Sequence, residues 1–209
     1  MSSDVPRSTL TDRQQRELEF YEEFSKLNEP EGISLAAVKS KEPKPWNSYW
    51  RLVEIAKQNF QSNEQKLLDF GCGKGEMSIL FSRIGYEVFG FDISTHNIEI
   101  AKRLAARYKM TERTHFQFSL AEKLDYASDF FDVVVGTDIL HHVEISEALS
   151  ECSRVLKRGG LAIFHEPVRT PVFDALRETR LGTWLVPNKV SVERHVTQDE
   201  KKLTVHDLE

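Results

Sequence analysis

Cysteine is scarce: Cys72 and Cys152 are the only two in 209 residues, too few for a disulfide framework or a cysteine-built metal cluster. Cys72 falls in a glycine turn and Cys152 on an apolar helical face, so both read as small buried residues rather than nucleophiles. Apolar runs of membrane-spanning length are missing. Residues 1–9 are polar and carry no arginine-rich or apolar leader, which makes a cytoplasmic location the default expectation. Positive charge is not in surplus either. A formal net charge of −5 disfavours broad attraction to nucleic acid. Two nucleotide signatures are also absent: the glycines are not spaced G-x-G-x-x-G, and Lys74 is followed by Gly75 instead of the hydroxyl residue of a phosphate-binding loop.

What remains is the composition of a soluble globular chain, 40% hydrophobic and 29% charged, long enough for one domain with a core plus a helical appendage. It is organised around residues 67–75, Leu-Leu-Asp-Phe-Gly-Cys-Gly-Lys-Gly. The apolar run 66–70 reads as a buried parallel strand. Gly71, Gly73 and Gly75 then turn the chain into a helix carrying Met77, Ile79, Leu80, Phe81 and Ile84. Glycine at every second position clears side chains from a place where backbone meets a ligand at close range, and the helix start beyond offers free N–H groups. A second apolar run, 86–92, ends in Asp92, seventeen residues past Gly75. A carboxylate at the tip of the second strand of a βαβ unit can accept from both hydroxyls of a ribose.

The segment from Asp69 to Gly75, taken with Asp92, resembles the first motifs of the class I S-adenosylmethionine-dependent methyltransferases, and among these the small-molecule, ubiquinone-biosynthesis-like type. The resemblance implies a Rossmann-like α/β fold, a mostly parallel sheet with helices on both faces, and S-adenosyl-L-methionine as cofactor. It implies that Asp69, Gly71, Gly73 and Gly75 hold the methionine part and Asp92 the ribose, with Ile93, Leu120, Ala121 and Thr137 completing the cofactor site. One departure stands out. Where the family often has Gly-Asp-Ala-Glu, this chain has Ser119-Leu-Ala-Glu122, so Leu120 takes the place of an aspartate that meets the adenine amino group. Leucine can pack on the ring but accepts no hydrogen bond, and cofactor affinity is expected to be weakened somewhat. Glu122 is either a second route to that amino group or a solvated surface charge.

The αβ alternation continues with a helix over about 95–108, capped by Ser94 or Thr95, and a third strand over 114–118. The run 131–138, nearly all β-branched, is a strand buried on both faces. Asp132 precedes it and suits a structural role at the opposite edge of the sheet. Leu140-His-His-Val143 follows, as it does in the resembling methyltransferases. A histidine there can act as general base for an acceptor hydroxyl or amine, and since adjacent side chains diverge, at most one of the pair faces the pocket, His142 being the candidate. A helix over 145–156 is expected to turn Ile145, Ala148, Leu149, Cys152 and Leu156 to the sheet, closed by Gly159 and Gly160. A short fifth strand, 161–164, would deliver His165 and Glu166 to the same rim. His142, His165 and Glu166 are thus the candidates for orienting or deprotonating an acceptor, with loop stabilisation the alternative for each.

Residues 1–45 read as an N-terminal helical extension and linker, with a helix from Thr11 bearing Leu18, Tyr21, Phe24 and Leu27, and a proline-broken stretch with one turn of helix near 35–38. Residues 46–167 form the cofactor-binding core, entered through Tyr49 and Trp50. These either shape the acceptor pocket or dock their helix on the sheet. Residues 168–209 read as an insertion or cap and an incomplete C-terminal part, with Thr204 able to cap a helix. Five strands are evident, and the antiparallel strands that complete the family's sheet are missing. An open sheet edge invites a homo-oligomer or another partner chain. No Asn/Asp-Pro-Pro-Tyr element follows the fourth strand, which with the acidic charge argues against a nucleic-acid base as acceptor. The expectation is methyl transfer to a small organic molecule, on oxygen first. The alternatives are a nucleic-acid or protein methyltransferase and a non-catalytic cofactor-binding scaffold.

Overall fold

Five parallel strands and the helices between them arise from the alternation of short apolar runs with amphipathic segments. A computed structural model describes residues 10–27 and 48–167. The expectations for the 35–38 turn, for the insertion after Pro167 and for a helix capped by Thr204 lie outside the described residues. In chain order the elements are α1 (Asp12–Leu27), α2 (Ser48–Asn59), β1 (Lys66–Phe70), α3 (Glu76–Ile84), β2 (Glu87–Asp92), α4 (Thr95–Arg107), β3 (Thr114–Phe118), β4 (Phe131–Thr137), a 3₁₀ turn (Leu140–His142), α5 (Ile145–Val155) and β5 (Leu156–His165). The strands pair in the order β3-β2-β1-β4-β5, all in parallel.

Period-two alternation sends successive residues of each strand to opposite faces. Leu67, Val88, Val133 and Val135 meet Leu52, Val53 and Ala56 of α2 and Phe81 of α3 on one side. Leu68, Phe70, Phe91 and Val134 meet Ala148, Cys152 and Val155 of α5 on the other. The helix after β1 and the helix after β4 therefore lie on opposite faces. Where the strand order reverses, between β1 and β4, a crevice opens at the carboxyl ends of the strands.

Local chemistry fixes the helix starts. Thr11 and Gln14 form a reciprocal capping box for α1: the Gln14 N–H donates to Thr11 Oγ1 at 3.3 Å and the Thr11 N–H to Gln14 Oε1 at 3.0 Å. Ser94 caps α4 by accepting from the Asn97 N–H. Asp132 accepts from the Lys66 N–H and from Lys157 Nζ at the amino end of the sheet, the structural place its position suggested.

Two expectations are corrected. Gly159 and Gly160 follow α5 but do not close it: its C-cap is Leu156, and the glycines lie within β5, because Phe131 pairs with Leu156 and Val133 with Leu161. The strand thus starts directly after the helix, and residues 157–160 are taken up as a bulge. Leu149 is exposed: the buried stripe of α5 is Ala148, Cys152 and Val155, spaced four and three residues apart, and Leu149 stands 100° round the helix from Ala148.

Gly75 joins β1's turn to α3 in left-handed backbone, φ 79°, and a Cβ there would stand 2.8 Å from the Ala101 Cβ and 3.1 Å from its Cα. The glycine is what lets α3 and α4 approach. Gly75→Ala is expected to destabilise the fold by about 1–3 kcal/mol, from overpacking against backbone and from the unfavourable φ; denaturant unfolding of the two proteins measures it, and equal midpoints would contradict the close packing.

Candidate active site

The crevice is a cavity of about 210 Å³, more than ten times the space a single water requires. Its floor is made by the strand ends and the loops that follow them: Gly71 and Gly73 after β1, Phe91 to Ile93 at the end of β2, Ser119 to Glu122 after β3, and Thr137 to Ile139 after β4. Its roof is α1, which contributes Arg13, Gln14, Glu17 and Tyr21.

Asp92 holds the floor together. Its Oδ2 accepts from the Gly73 N–H at 3.0 Å, and its Oδ1 from the Ser94 N–H at 2.8 Å and the Asn97 side-chain amide at 3.1 Å. Burial raises the Asp92 pKa, these bonds oppose the rise, and the neighbouring Glu22 charge adds to it. Three bonds leave a two-oxygen carboxylate with acceptor capacity for a ligand. Gly73 is in left-handed backbone, φ 51°. A Cβ there would meet no protein atom within 4 Å, so its absence is not demanded by packing, and the backbone faces open space.

Asp69 lies behind this surface. It is 2% exposed, accepts from the Ser78 hydroxyl, and is not part of the cavity wall, nor is Gly75. Burial raises the Asp69 carboxyl to about 7, the Ser78 bond working against it and the Asp92 charge with it. Ile93, Leu120, Ala121 and Thr137 all line the cavity. Glu122 does too, and it is not simply solvated: it accepts from the Gln14 side chain at 3.2 Å and from the Glu144 N–H at 3.0 Å.

The rings of the adjacent histidines lie 4.1 Å apart between centroids but take different partners. His142 lines the cavity. Its Nε2 lies 3.0 Å from the Tyr21 hydroxyl, and its Nδ1 is 3.4 Å from Glu17 Oε2, both side chains deeply buried. His141 is not part of the cavity wall and pairs through Nδ1 with Glu166 Oε2 at 2.7 Å. The other Glu166 oxygen accepts from the Ile139 and Leu140 N–H groups at 2.9 and 2.8 Å, so Glu166 ties down the 3₁₀ turn. His165 Nδ1 lies 3.2 Å from Asp138 Oδ1, its ring beside that of Tyr49, 4.7 Å between centroids, and the Tyr49 hydroxyl donates to Asp138 Oδ2. Burial, then that carboxylate, pushes the Tyr49 phenol far above its ordinary value. Neither His165 nor Glu166 lines the cavity. Asp138, which does, adopts left-handed backbone at φ 54°, a conformation aspartate tolerates better than most residues.

Sequence reasoning missed the roof. Arg13, Glu17 and Tyr21 recur every fourth residue, one face of a helix, a signal present in the sequence but silent about what that face meets. Glu22 anchors the roof: its Oε1 accepts from Ser94 Oγ, Thr95 Oγ1 and the His96 N–H at the start of α4. Burial opposes ionisation of Glu22, yet the bonds from His96, Thr95 and Ser94 outweigh it and lower the pKa.

A parallel sheet of this order with a glycine turn after β1 and a carboxylate at the tip of β2 is the arrangement of a class I S-adenosylmethionine-dependent methyltransferase domain, and the chain is similar to that family over residues 68–164. Residues 68–164 match the family described as "Methyltransferase domain". The chain is 38% identical over 139 residues to a ubiquinone biosynthesis O-methyltransferase of Cereibacter sphaeroides, covering 65% of this chain and 56% of the relative. It is 33% identical over 137 residues to a demethylmenaquinone methyltransferase of Chlorobaculum parvum, covering 62% and 54%. Among solved structures it resembles the PH0226 protein of Pyrococcus horikoshii, with a TM-score of 0.57, 25% identity and coverage of 77% of this chain and 66% of that one. The chain spans just over half the length of these two curated relatives.

The residues present fit the family's cofactor. Thr137 Oγ1 and Asn97 Oδ1 are buried without a hydrogen-bond partner, both in residues that line the cavity, and Gly73 leaves room above the turn. The wall holds four carboxylates, from Glu17, Asp92, Glu122 and Asp138, and a single guanidinium, an electrostatic setting suited to a sulfonium and an ammonium group. Among the described residues no cluster of His, Cys, Asp and Glu is arranged to hold a metal ion, and no helix is long and apolar enough to cross a membrane.

The raised pKa of Asp69 has a stability consequence. A carboxyl whose folded pKa stands above its unfolded value favours folding below the unfolded pKa and loses that contribution as pH rises through the folded one. Between about pH 4 and about pH 7, the wild type is therefore expected to lose stability that Asp69→Asn retains. Urea midpoints for both proteins at pH 5 and pH 8 test this; parallel changes would contradict it.

Proposed function

We propose that this chain transfers the methyl group of S-adenosylmethionine to a small organic acceptor, with oxygen as the nucleophile. The observation that carries the reading is the Asp92 carboxylate bonded to the Gly73 backbone at the edge of a cavity lined by four carboxylates and one guanidinium. In this reading Gly71 and Gly73 lie along the methionine part, Asp92 takes the ribose hydroxyls, and Ile93, Leu120 and Ala121 pack on the adenine. Asp69 and Gly75 act from behind, shaping the turn. The bound cofactor supplies an electrophilic methyl group open to in-line displacement.

The protein's own task is then to place the acceptor and receive its proton, and positioning alone can supply much of the acceleration. His142 is the residue suited to the proton. An acceptor hydroxyl would take the hydrogen-bond position at Nε2 that the Tyr21 hydroxyl occupies, and its proton would pass to Nε2 as the oxygen attacks. Glu17 beside Nδ1 would offset the positive charge the imidazole gains, the role a buried carboxylate plays toward a catalytic histidine. Glu166 and His165 serve indirectly, the first holding the turn that carries His142 and the second beside Asp138. A hydroxyl acceptor is favoured over an amine because a neutral amine nucleophile has less need of a base. Similarity to a ubiquinone biosynthesis O-methyltransferase and a demethylmenaquinone methyltransferase supports a small organic acceptor.

Two measurements test this. Calorimetric titration with S-adenosylhomocysteine should give binding that Asp92→Ala weakens by about tenfold or more, about 1.4 kcal/mol; no binding by a folded wild type would end the reading. With an acceptor in hand, His142→Ala should lower kcat by ~10²–10⁴ while cofactor binding stays essentially unchanged, and unchanged turnover would remove His142 from the proton's path.

A further inference from the structure

The first turn of α1 brings a guanidinium to the cavity wall with one edge unsatisfied. Arg13 Nη1 lies 3.8 Å from Glu144 Oε2, a loose contact to a half-exposed carboxylate. Arg13 Nε and Nη2 are buried and have no hydrogen-bond partner. These two nitrogens form the side-on edge of the guanidinium, whose near-parallel N–H bonds match the paired oxygens of a carboxylate. Buried donors are nearly always satisfied in a folded protein, and Arg13 is one of the residues lining a cavity large enough for an organic ligand.

We propose that Arg13 grips a carboxylate carried by the acceptor, so that the substrate class is an organic acid bearing the hydroxyl to be methylated; this rests on the methyltransferase reading above. Two observations favour an acceptor carboxylate over that of the cofactor or a phosphate. Arg13 stands one turn of α1 before Glu17, and Glu17 meets the Nδ1 of His142, the residue given the acceptor's proton in that reading. Four carboxylates share the cavity wall with this one guanidinium, so each further negative charge on a ligand is repelled and a singly charged carboxylate is disfavoured less than a multiply charged phosphate.

The test uses the full chain saturated with S-adenosylhomocysteine and benzoate as the carboxylate probe, with neutral benzamide beside it. Benzoate is expected to bind at least about tenfold more tightly than benzamide. Arg13→Met should abolish that preference and leave S-adenosylhomocysteine affinity unchanged, and Arg13→Lys, which keeps the charge but not the fork, should fall between. Equal binding of benzoate and benzamide by the wild type, or a benzoate preference that survives in Arg13→Met, would overturn the proposal. So would a loss of S-adenosylhomocysteine binding in Arg13→Met. If 5′-methylthioadenosine, which lacks the carboxylate, binds the variant normally, the edge belongs to the cofactor's carboxylate; if it too is weakened, the edge belongs to the nucleoside. Failure of the wild type to bind S-adenosylhomocysteine at all would remove the underlying reading together with this one.

Discussion

The carboxylate of Asp92 is the tie on which the rest of the site depends. By accepting from the Gly73 N–H it binds the end of β2 to the turn after β1, and by accepting from the Ser94 N–H and the Asn97 amide it sets the start of α4. Burying a carboxylate is costly unless its lone pairs are met, and here three donors from two segments meet them. The turn cannot move without breaking a bond to a partly buried carboxylate. This is how a flexible, glycine-rich stretch becomes a surface of defined shape.

The roof depends on a second carboxylate used in the opposite way. Glu22 reaches from α1 to the first turn of α4, where unsatisfied N–H groups and the positive end of the helix dipole attract an anion. Its bonds to Ser94, Thr95 and His96 fix α1 across strand ends more than seventy residues away in sequence. With α1 held there, Glu17 and Tyr21 meet the two nitrogens of His142. The histidine thus has its environment composed by two segments, the 3₁₀ turn braced by Glu166 and the helix anchored by Glu22.

Much of the fold was legible because it rests on local signals. Lys66–Phe70 and Thr114–Phe118 match the apolar runs that marked them as strands, Ser94 caps α4 as its hydroxyl and position suggested, and the Thr11–Gln14 box begins α1. Misreadings came where a neighbour decided. Gly159 and Gly160 look like a helix stop, but pairing of Leu156 with Phe131 draws the chain into the sheet before they are reached. Leu149 looks like a core residue until the direction of α5 against the sheet turns it outward.

The same division runs through the site. The order of elements, the glycine turn, the carboxylate at the end of β2 and the histidine pair after β4 were determined by the sequence alone, because residue type, spacing and backbone preference act over a few positions. Tertiary structure alone decided that Glu17 and Tyr21 meet His142, that Glu166 pairs with His141 while His165 pairs with Asp138, and that Asp69 stands behind the wall. It alone laid Arg13, Glu17 and Tyr21 over the strand ends. Those outcomes depend on the packing of elements far apart in the chain, where a partner's identity is set by distance and burial and not by spacing.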